Sequence, residues 1–178
     1  MTRDELARRL AERALLRGDF VLRSGKRSSV YLDKYRFETD PALLAPLADA
    51  LAEAASEADP AAELLAGPEL GAVPLVTALA LRDGRCFLIV RGQAKEYGTA
   101  NRLEGVYEAG QRVLLVEDIV TSGGAALQAV AALREAGLVV EHALCVLDRD
   151  EGGREALGEL GVTLHPLLRR ADLGLDSA

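Results

Sequence analysis

The amino-acid sequence predicts an α/β fold in which helices cover a mostly parallel central sheet. One observation is that runs such as CFLIV (86–90) and RVLLV (112–116) are apolar throughout, which is typical of strands buried on both faces. The other is that such runs alternate along the chain with segments whose apolar residues recur at helical spacing. Because strands and helices alternate, we expect a doubly wound sheet in a single domain.

The N-terminal part of the chain is predicted to form a helix, a hairpin and a second helix. Thr2 and Glu5 have the spacing of a capping box, and Gly18 is predicted to end this first helix. The runs FVLR and SVYLD surround a Ser-Gly turn, which predicts an antiparallel hairpin. Asp40 and Pro41 indicate the next helix start, because proline is well tolerated at the first helical position.

The rest of the chain alternates between predicted strands and helices. In order these are strand ELLA (63–66), helix GAVPLVTALAL, strands CFLIV and RVLLV, helix ALQAVAALREAG, and strands LVVEHALCVLD (138–148) and VTLHPL. The segment 91–111, rich in glycine and charge, interrupts this order. A connection of this length is typically functional or mobile, and the alternative is a hairpin with no special role.

Composition restricts the class of protein. The 178 residues, 49% of them hydrophobic, suit one domain spanning 1–178. No apolar run reaches the roughly 18 residues of a membrane helix, and the absence of an apolar leader favours a cytoplasmic location. A net charge of −7 disfavours broad nucleic-acid binding. Cys86 and Cys145 lie in apolar runs and are predicted to be buried, reduced thiols.

The most informative segment is RVLLVEDIVTSGGAALQAV, an apolar strand followed by two acids, a Thr-Ser-Gly-Gly turn and a helix. In open α/β sheets, ligands bind at the carboxyl ends of strands. The turn exposes backbone N–H groups that, with the helix dipole, suit a phosphate. Glu117 and Asp118 would repel a phosphate but can accept hydrogen bonds from sugar hydroxyls. The segment therefore predicts a ribose 5-phosphate site, and the alternative is an ordinary strand–turn–helix with solvated acids.

Part of this segment, VLLVEDIVTSGGA (113–125), resembles the phosphoribosyl pyrophosphate (PRPP) signature of type I phosphoribosyltransferases. Four further segments resemble orotate phosphoribosyltransferases: FVLRSGKRSSVYLD (20–33), AGPELGAVPL (66–75), VRGQAKEYGTANRLEG (90–105) and LDRDEGG (147–153). They occur in the order of that family and cover nearly the whole chain. The resemblance implies the type I fold with a small N-terminal hood and a flexible catalytic loop over residues 91–106.

The resemblance also implies roles for particular residues. Glu117 and Asp118 would bind the ribose hydroxyls, within a PRPP-binding set that continues through Ile119, Val120, Thr121, Ser122, Gly123, Gly124 and Ala125. Orotate would contact Tyr31, Leu32, Thr121 and Arg149, with the Arg149 guanidinium on the orotate carboxylate.

Further contacts to PRPP would come from Arg23, Arg91, Lys95 and Tyr97, where many members have His in place of this tyrosine. Lys95, Arg91 and Asp118 are the predicted catalytic residues. Two departures stand out: Gly92 follows Arg91 where the family often has a second base, and Gly71 stands where some members have a lysine.

The activity that the resemblance implies is transfer of ribose 5-phosphate from PRPP to orotate, giving orotidine 5′-monophosphate and pyrophosphate in pyrimidine (UMP) biosynthesis. Mg²⁺ is the expected cofactor, held through substrate and water more than through protein ligands. The expected assembly is a homodimer in which residues 91–106 reach the partner's site, with no nucleic-acid or membrane partner. The alternatives are transfer to a purine or to uracil, and a non-catalytic PRPP-sensing regulator.

Overall fold

A computed structural model describes residues 1–21, 25, 27–92 and 102–175. Its helices and strands follow one another in the order α1 (Arg3–Ala14), β1 (Leu15–Val21), β2 (Arg27–Leu32), α2 (Tyr35–Glu38), α3 (Pro41–Ala58), β3 (Leu64–Pro68), α4 (Ala72–Asp83), β4 (Cys86–Val90), β5 (Leu103–Glu104), β6 (Arg112–Val120), α5 (Gly124–Glu135), β7 (Val139–Asp148), α6 (Gly153–Glu159) and β8 (Thr163–Arg169). A short 3₁₀ helix, Arg170–Leu173, follows β8.

Six strands form the central sheet in the order β5-β4-β3-β6-β7-β8. All neighbouring strands are parallel except β5, which runs antiparallel to β4. Alternate residues of β6 face opposite sides: Leu114 and Val116 belong to a core shared with α1, α3 and α4, whereas Val113 and Leu115 face α5 and α6. The predicted mostly parallel sheet, covered by helices on both faces, is confirmed.

The hairpin of β1 and β2 forms a separate two-stranded sheet near the first core. Leu15, Val30 and Leu32 pack against that core, so the hairpin lies over the sheet as a small hood. The prediction that Gly18 ends α1 is wrong, because the helix ends at Ala14. The next residue is already extended and pairs with Leu32, and this pairing draws the chain into β1.

Four short elements escaped prediction: α2, β5, α6 and the 3₁₀ helix. The three helices are too short to show an apolar period, and β5 exists only through its pairing with Ile89 and Val90 of β4. Cys145 is buried as predicted, but Cys86 is exposed at the first position of β4. Among the described residues, no helix combines the length and apolar character that a membrane crossing requires.

Candidate active site

The two acids of the PRPP segment lie within β6 itself. This strand continues to Val120 because Glu117 and Ile119 pair with β7, so the acids are held by the sheet near its carboxyl edge. Both Glu117 and Asp118 are only 4% exposed. Buried carboxylates in a rigid strand, followed directly by a turn, suit a ligand that presents hydroxyl groups next to a phosphate.

The turn between β6 and α5 depends on two glycines. Gly123 has a φ of +81°, in the left-handed region that glycine adopts at low cost. Gly153, at the start of α6, donates its N–H to the carbonyl of Thr121 at 2.9 Å. A Cβ atom at Gly153 would lie 2.4 Å from Val120 Cγ1 and 2.5 Å from that carbonyl oxygen. The turn therefore keeps its shape because position 153 has no side chain, a requirement that sequence analysis missed.

Asp118 forms an ion pair that the sequence did not predict. The Lys34 Nζ lies 2.5 Å from Asp118 Oδ2. Burial alone would lower the pKa of Lys34, but the contact with Asp118 outweighs it and the pKa is raised. Lys34 also lies over the ring of Tyr35, 5.5 Å from its centroid. The ammonium is thus held in the charged state beside the predicted ribose site.

Two buried glutamates, Glu38 and Glu117, lie close to this ion pair. Glu38, 1% exposed, has no hydrogen-bond partner at either carboxyl oxygen, and neither has the Oε1 of Glu117. Burial raises the pKa of both Glu38 and Glu117 to about 8, and the charge of Asp118 adds to each rise. Both carboxyl groups are therefore mostly protonated at neutral pH.

Gly71, at the beginning of α4, lies against this ion pair. A Cβ atom there would be 1.7 Å from Asp118 Oδ2 and 2.4 Å from Lys34 Nζ. The space for a side chain at position 71 is therefore already filled by Lys34 and Asp118. Gly71 stands where the family resemblance implies a base in some members, and the close approach of Lys34 and Asp118 is the steric reason for the glycine.

The segment after β3 is joined to the beginning of the predicted catalytic loop. Glu69 accepts a hydrogen bond from the N–H of Gly92 at 2.9 Å, and its Oε2 lies 3.7 Å from Arg91 Nη1. Arg91 also lies 4.0 Å from Glu104. Position 92 is sterically open, since a Cβ atom there would meet only Glu69 Oε1, at 3.6 Å.

A small cavity lies between the hood and the carboxyl end of β7. It has a volume of about 60 Å³, and its walls are formed by Leu15, Ser28, Val30, Leu32, Arg149, Arg170 and Leu175. The structure thus brings together Leu32 and Arg149, two of the predicted orotate contacts. Tyr31 is not in this lining: strand alternation turns it to the other face of β2, where its ring lies 5.5 Å from that of Phe20.

Arg149 is held at the edge of this cavity by the turn that follows β7. Its Nη2 lies 2.8 Å from Glu151, and its Nε is buried without a hydrogen-bond partner. The fully buried Asp148 accepts from Arg154 and from the N–H of Asp150, each at 2.9 Å. Two further arginines lie in this region: Arg154 contacts Asp148, and Arg170 lines the cavity. Neither carries a recognisable sequence signal.

Three predicted PRPP contacts, Arg23, Lys95 and Tyr97, lie outside the described residues, as does most of the loop 91–106. The described part of the chain contains no group of three or more His, Cys, Asp or Glu side chains arranged to hold a metal ion. The described carboxyl groups near this site include the pair on β6, Glu38 and, beside Glu38, Asp33.

The parallel sheet, the acids at the end of its central strand and the phosphate-suited turn define the class of protein as a type I phosphoribosyltransferase. No protein-family model matches the chain. The chain is similar in sequence to curated orotate phosphoribosyltransferases. That of Halobacterium salinarum is 50% identical over 156 residues, which are 88% of this chain and 87% of the relative. That of Natronomonas pharaonis is 48% identical over 159 residues, 89% of each chain.

The structure is also similar to that of Mycobacterium tuberculosis orotate phosphoribosyltransferase in complex with PRPP. The TM-score is 0.82 at 32% identity, covering 97% of this chain and 99% of that one. The chain belongs to the orotate phosphoribosyltransferase family.

Proposed function

We propose that the protein transfers ribose 5-phosphate from PRPP to orotate and releases pyrophosphate, as a step of UMP biosynthesis. The observation that supports the proposal is that Arg149 and Leu32 line one cavity between the hood and the carboxyl end of β7. A guanidinium there suits the carboxylate of orotate, and the N–H of Arg149 donates to the carbonyl of Val120 at the end of β6. Family membership supports the same reaction.

The reaction requires positioning more than covalent chemistry by the protein. A ring nitrogen of orotate attacks the anomeric carbon of PRPP, and the bond to pyrophosphate breaks with its electron pair leaving on pyrophosphate. Glu117 and Asp118 hold the ribose hydroxyls, while the turn 121–125 binds the 5-phosphate. Arg149 orients orotate through its carboxylate. Holding both reactants in line supplies much of the acceleration in such reactions.

We propose Mg²⁺ as the cofactor of this reaction. The ion binds phosphate oxygens of substrates and keeps several waters, and the described residues contain no group of three or more His, Cys, Asp or Glu side chains arranged to hold it. PRPP oxygens and water would therefore hold the ion more than protein ligands do. When bound, the ion neutralises charge on the pyrophosphate.

We propose that a second copy of the chain covers the face formed by α3, α4 and β4. Two apolar grooves on this face share Leu81, which is 84% exposed, and Val106 at one end is 87% exposed. Isolated surface apolar residues are common, but grooves that adjoin one another indicate an interaction surface. In the proposed dimer, residues 91–106 reach the partner's active site.

A screen of acceptor bases tests the proposed activity. Purified protein is incubated with PRPP, MgCl₂ and, separately, orotate, uracil, adenine or hypoxanthine, and pyrophosphate release is measured. We expect release with orotate alone. Release with a purine or uracil would identify a different phosphoribosyltransferase, and PRPP binding without turnover of any base would favour the regulator.

A further inference from the structure

Lys34 is a charged residue of the site for which the proposed function has assigned no role. It precedes α2, between the hood and α3, and its ammonium contacts the buried Asp118 at 2.5 Å. About a third of its side chain remains exposed, so the amine is accessible from the site. The amine also lies close to the beginning of α4 and to the segment before this helix, which contains Glu69 and Gly71.

The amine of Lys34 occupies the space of a side chain at position 71. The Cβ of any larger residue there would be 2.4 Å from Nζ, well inside van der Waals contact. The Lys34 ammonium therefore lies where a side chain at position 71 would begin, in contact with Asp118.

The charge balance of the site also depends on this amine. Glu38, Glu117 and Asp118 surround it. Other cations near the site pair with other acids: Arg91 with Glu69 and Glu104, Arg149 with Glu151 and Arg154 with Asp148. Without Lys34, the buried Asp118 would keep the hydrogen bond from the N–H of Ile119 but would have no ion-pair partner among the described residues, in the path of an anionic substrate. Such a charge opposes anion binding.

We propose that Lys34 is a PRPP-binding residue that bridges Asp118 and the pyrophosphate group. This inference rests on the proposed function. The ammonium has three donors, so it can keep Asp118 in position for the ribose while donating to a pyrophosphate oxygen. It thereby links the acid that binds the sugar to the group that leaves.

The test compares Lys34→Ala, Lys34→Arg and the double variant Lys34→Ala/Gly71→Lys. Steady-state kinetics give KM for PRPP and for orotate, calorimetry gives the PRPP Kd, and thermal unfolding gives Tm. We expect Lys34→Ala to raise the PRPP KM and Kd at least about tenfold and to leave the orotate KM within about twofold. Lys34→Arg should retain most of the PRPP affinity.

The double variant separates a binding role from a structural one. Removal of Lys34 frees the Asp118 carboxylate to rotate away from position 71, where the new lysine restores a cation. We expect it to recover at least about a third of the lost PRPP affinity. The matched control is Arg36→Ala, which removes an exposed cation of the same segment that pairs only at the surface with Asp33, at 3.4 Å, and should leave both KM values within about twofold.

The outcomes distinguish this inference from the proposed function. Wild-type protein that makes no orotidine 5′-monophosphate would overturn the proposed function. An active wild type whose PRPP KM and Kd do not change in Lys34→Ala would overturn the role of Lys34 alone. The same holds if both KM values and Tm change together in Lys34→Ala and Lys34→Arg does not restore them, since that pattern indicates a purely structural residue.

Discussion

At the scale of single residues, the site contains buried carboxyl groups whose surroundings disfavour the ionised form. Glu38 is buried without a hydrogen-bond partner, with Asp118, Lys34 and Asp33 as the ionisable groups around it. The folded protein therefore binds a proton at Glu38 that the unfolded chain releases near pH 4.5. Between that value and about 8, this linkage makes the folded state less stable as the pH rises.

We expect Glu38→Gln to stabilise the protein increasingly as the pH rises from 5 to about 8. The amide cannot ionise, so the variant lacks the pH-dependent loss of folding stability of the wild type. That loss grows by at most about 1.4 kcal/mol for each pH unit. Thermal or urea unfolding at several pH values measures the difference. Glu57→Gln, on an exposed position of α3, is the control. A stability difference between Glu38→Gln and wild type that does not vary with pH would contradict the raised pKa.

The sequence predicted the local part of the site and missed the part that folding brings together. Glu117, Asp118 and the glycines of the turn are contiguous, so one segment carries their signal. Lys34 and Asp118 are 84 positions apart in the sequence, and no pattern in either segment predicts their contact. Arg149 was predicted through the family resemblance, but its neighbours Arg154 and Arg170 depend on tertiary packing.

At the scale of elements, the phosphate turn is supported by the beginning of α6. Gly153 lets the two segments touch, and sequence analysis did not predict α6 because it spans only seven residues. The apolar strands, in contrast, were predicted within a few residues because their burial on both faces leaves a continuous apolar signal. Short elements fixed by neighbours lack such a signal.

We expect Gly153→Ala to displace the turn 121–124 and raise the PRPP KM by at least about tenfold, because its Cβ would collide with Val120 and Thr121. Gly158→Ala is a matched control on the same helix, since a Cβ there meets nothing within 4 Å. The control should keep wild-type kinetics and gain up to about 1 kcal/mol of stability. Equal PRPP KM values in both variants would refute the contact between turn and helix.

Gly71 and Gly92, the two glycines that stand in place of bases, should respond differently to substitution by lysine, because only position 71 is already filled by other side chains. At Gly92 the nearest obstacle is 3.6 Å away, so Gly92→Lys should change the unfolding free energy by less than about 0.5 kcal/mol. The added charge lies beside Arg91 and should tighten product inhibition by pyrophosphate, an effect that salt weakens. Substantial destabilisation, or inhibition that does not tighten at low salt, would show that position 92 faces away from pyrophosphate.

At the scale of the whole molecule, an acidic body carries a local cationic site. The net charge of −7 opposes non-specific anion binding, while Lys34, Arg149 and the beginning of α5 are concentrated at one edge of the sheet. Specific anions are therefore accepted only where these groups converge.

We expect Leu81→Asp to convert the proposed dimer to a monomer and to lower kcat, because a charge at the centre of an apolar interface is costly to bury. Sedimentation velocity measures the assembly. Leu160→Asp, an exposed leucine at the end of α6, is the control and should keep the wild-type assembly. A monomeric wild type, or an unchanged Leu81→Asp dimer, would show that this face is not the interface.

The central claim is that Arg149 selects orotate as the acceptor of ribose 5-phosphate. The most direct measurement is kcat/KM for orotate and for uracil, which lacks the carboxylate, in wild-type protein and in Arg149→Ala. We predict a strong preference for orotate in the wild type and a loss of at least about 100-fold with orotate in the variant, with no loss for uracil. Equal use of orotate and uracil by the wild type, or an unchanged orotate preference in Arg149→Ala, would contradict the account.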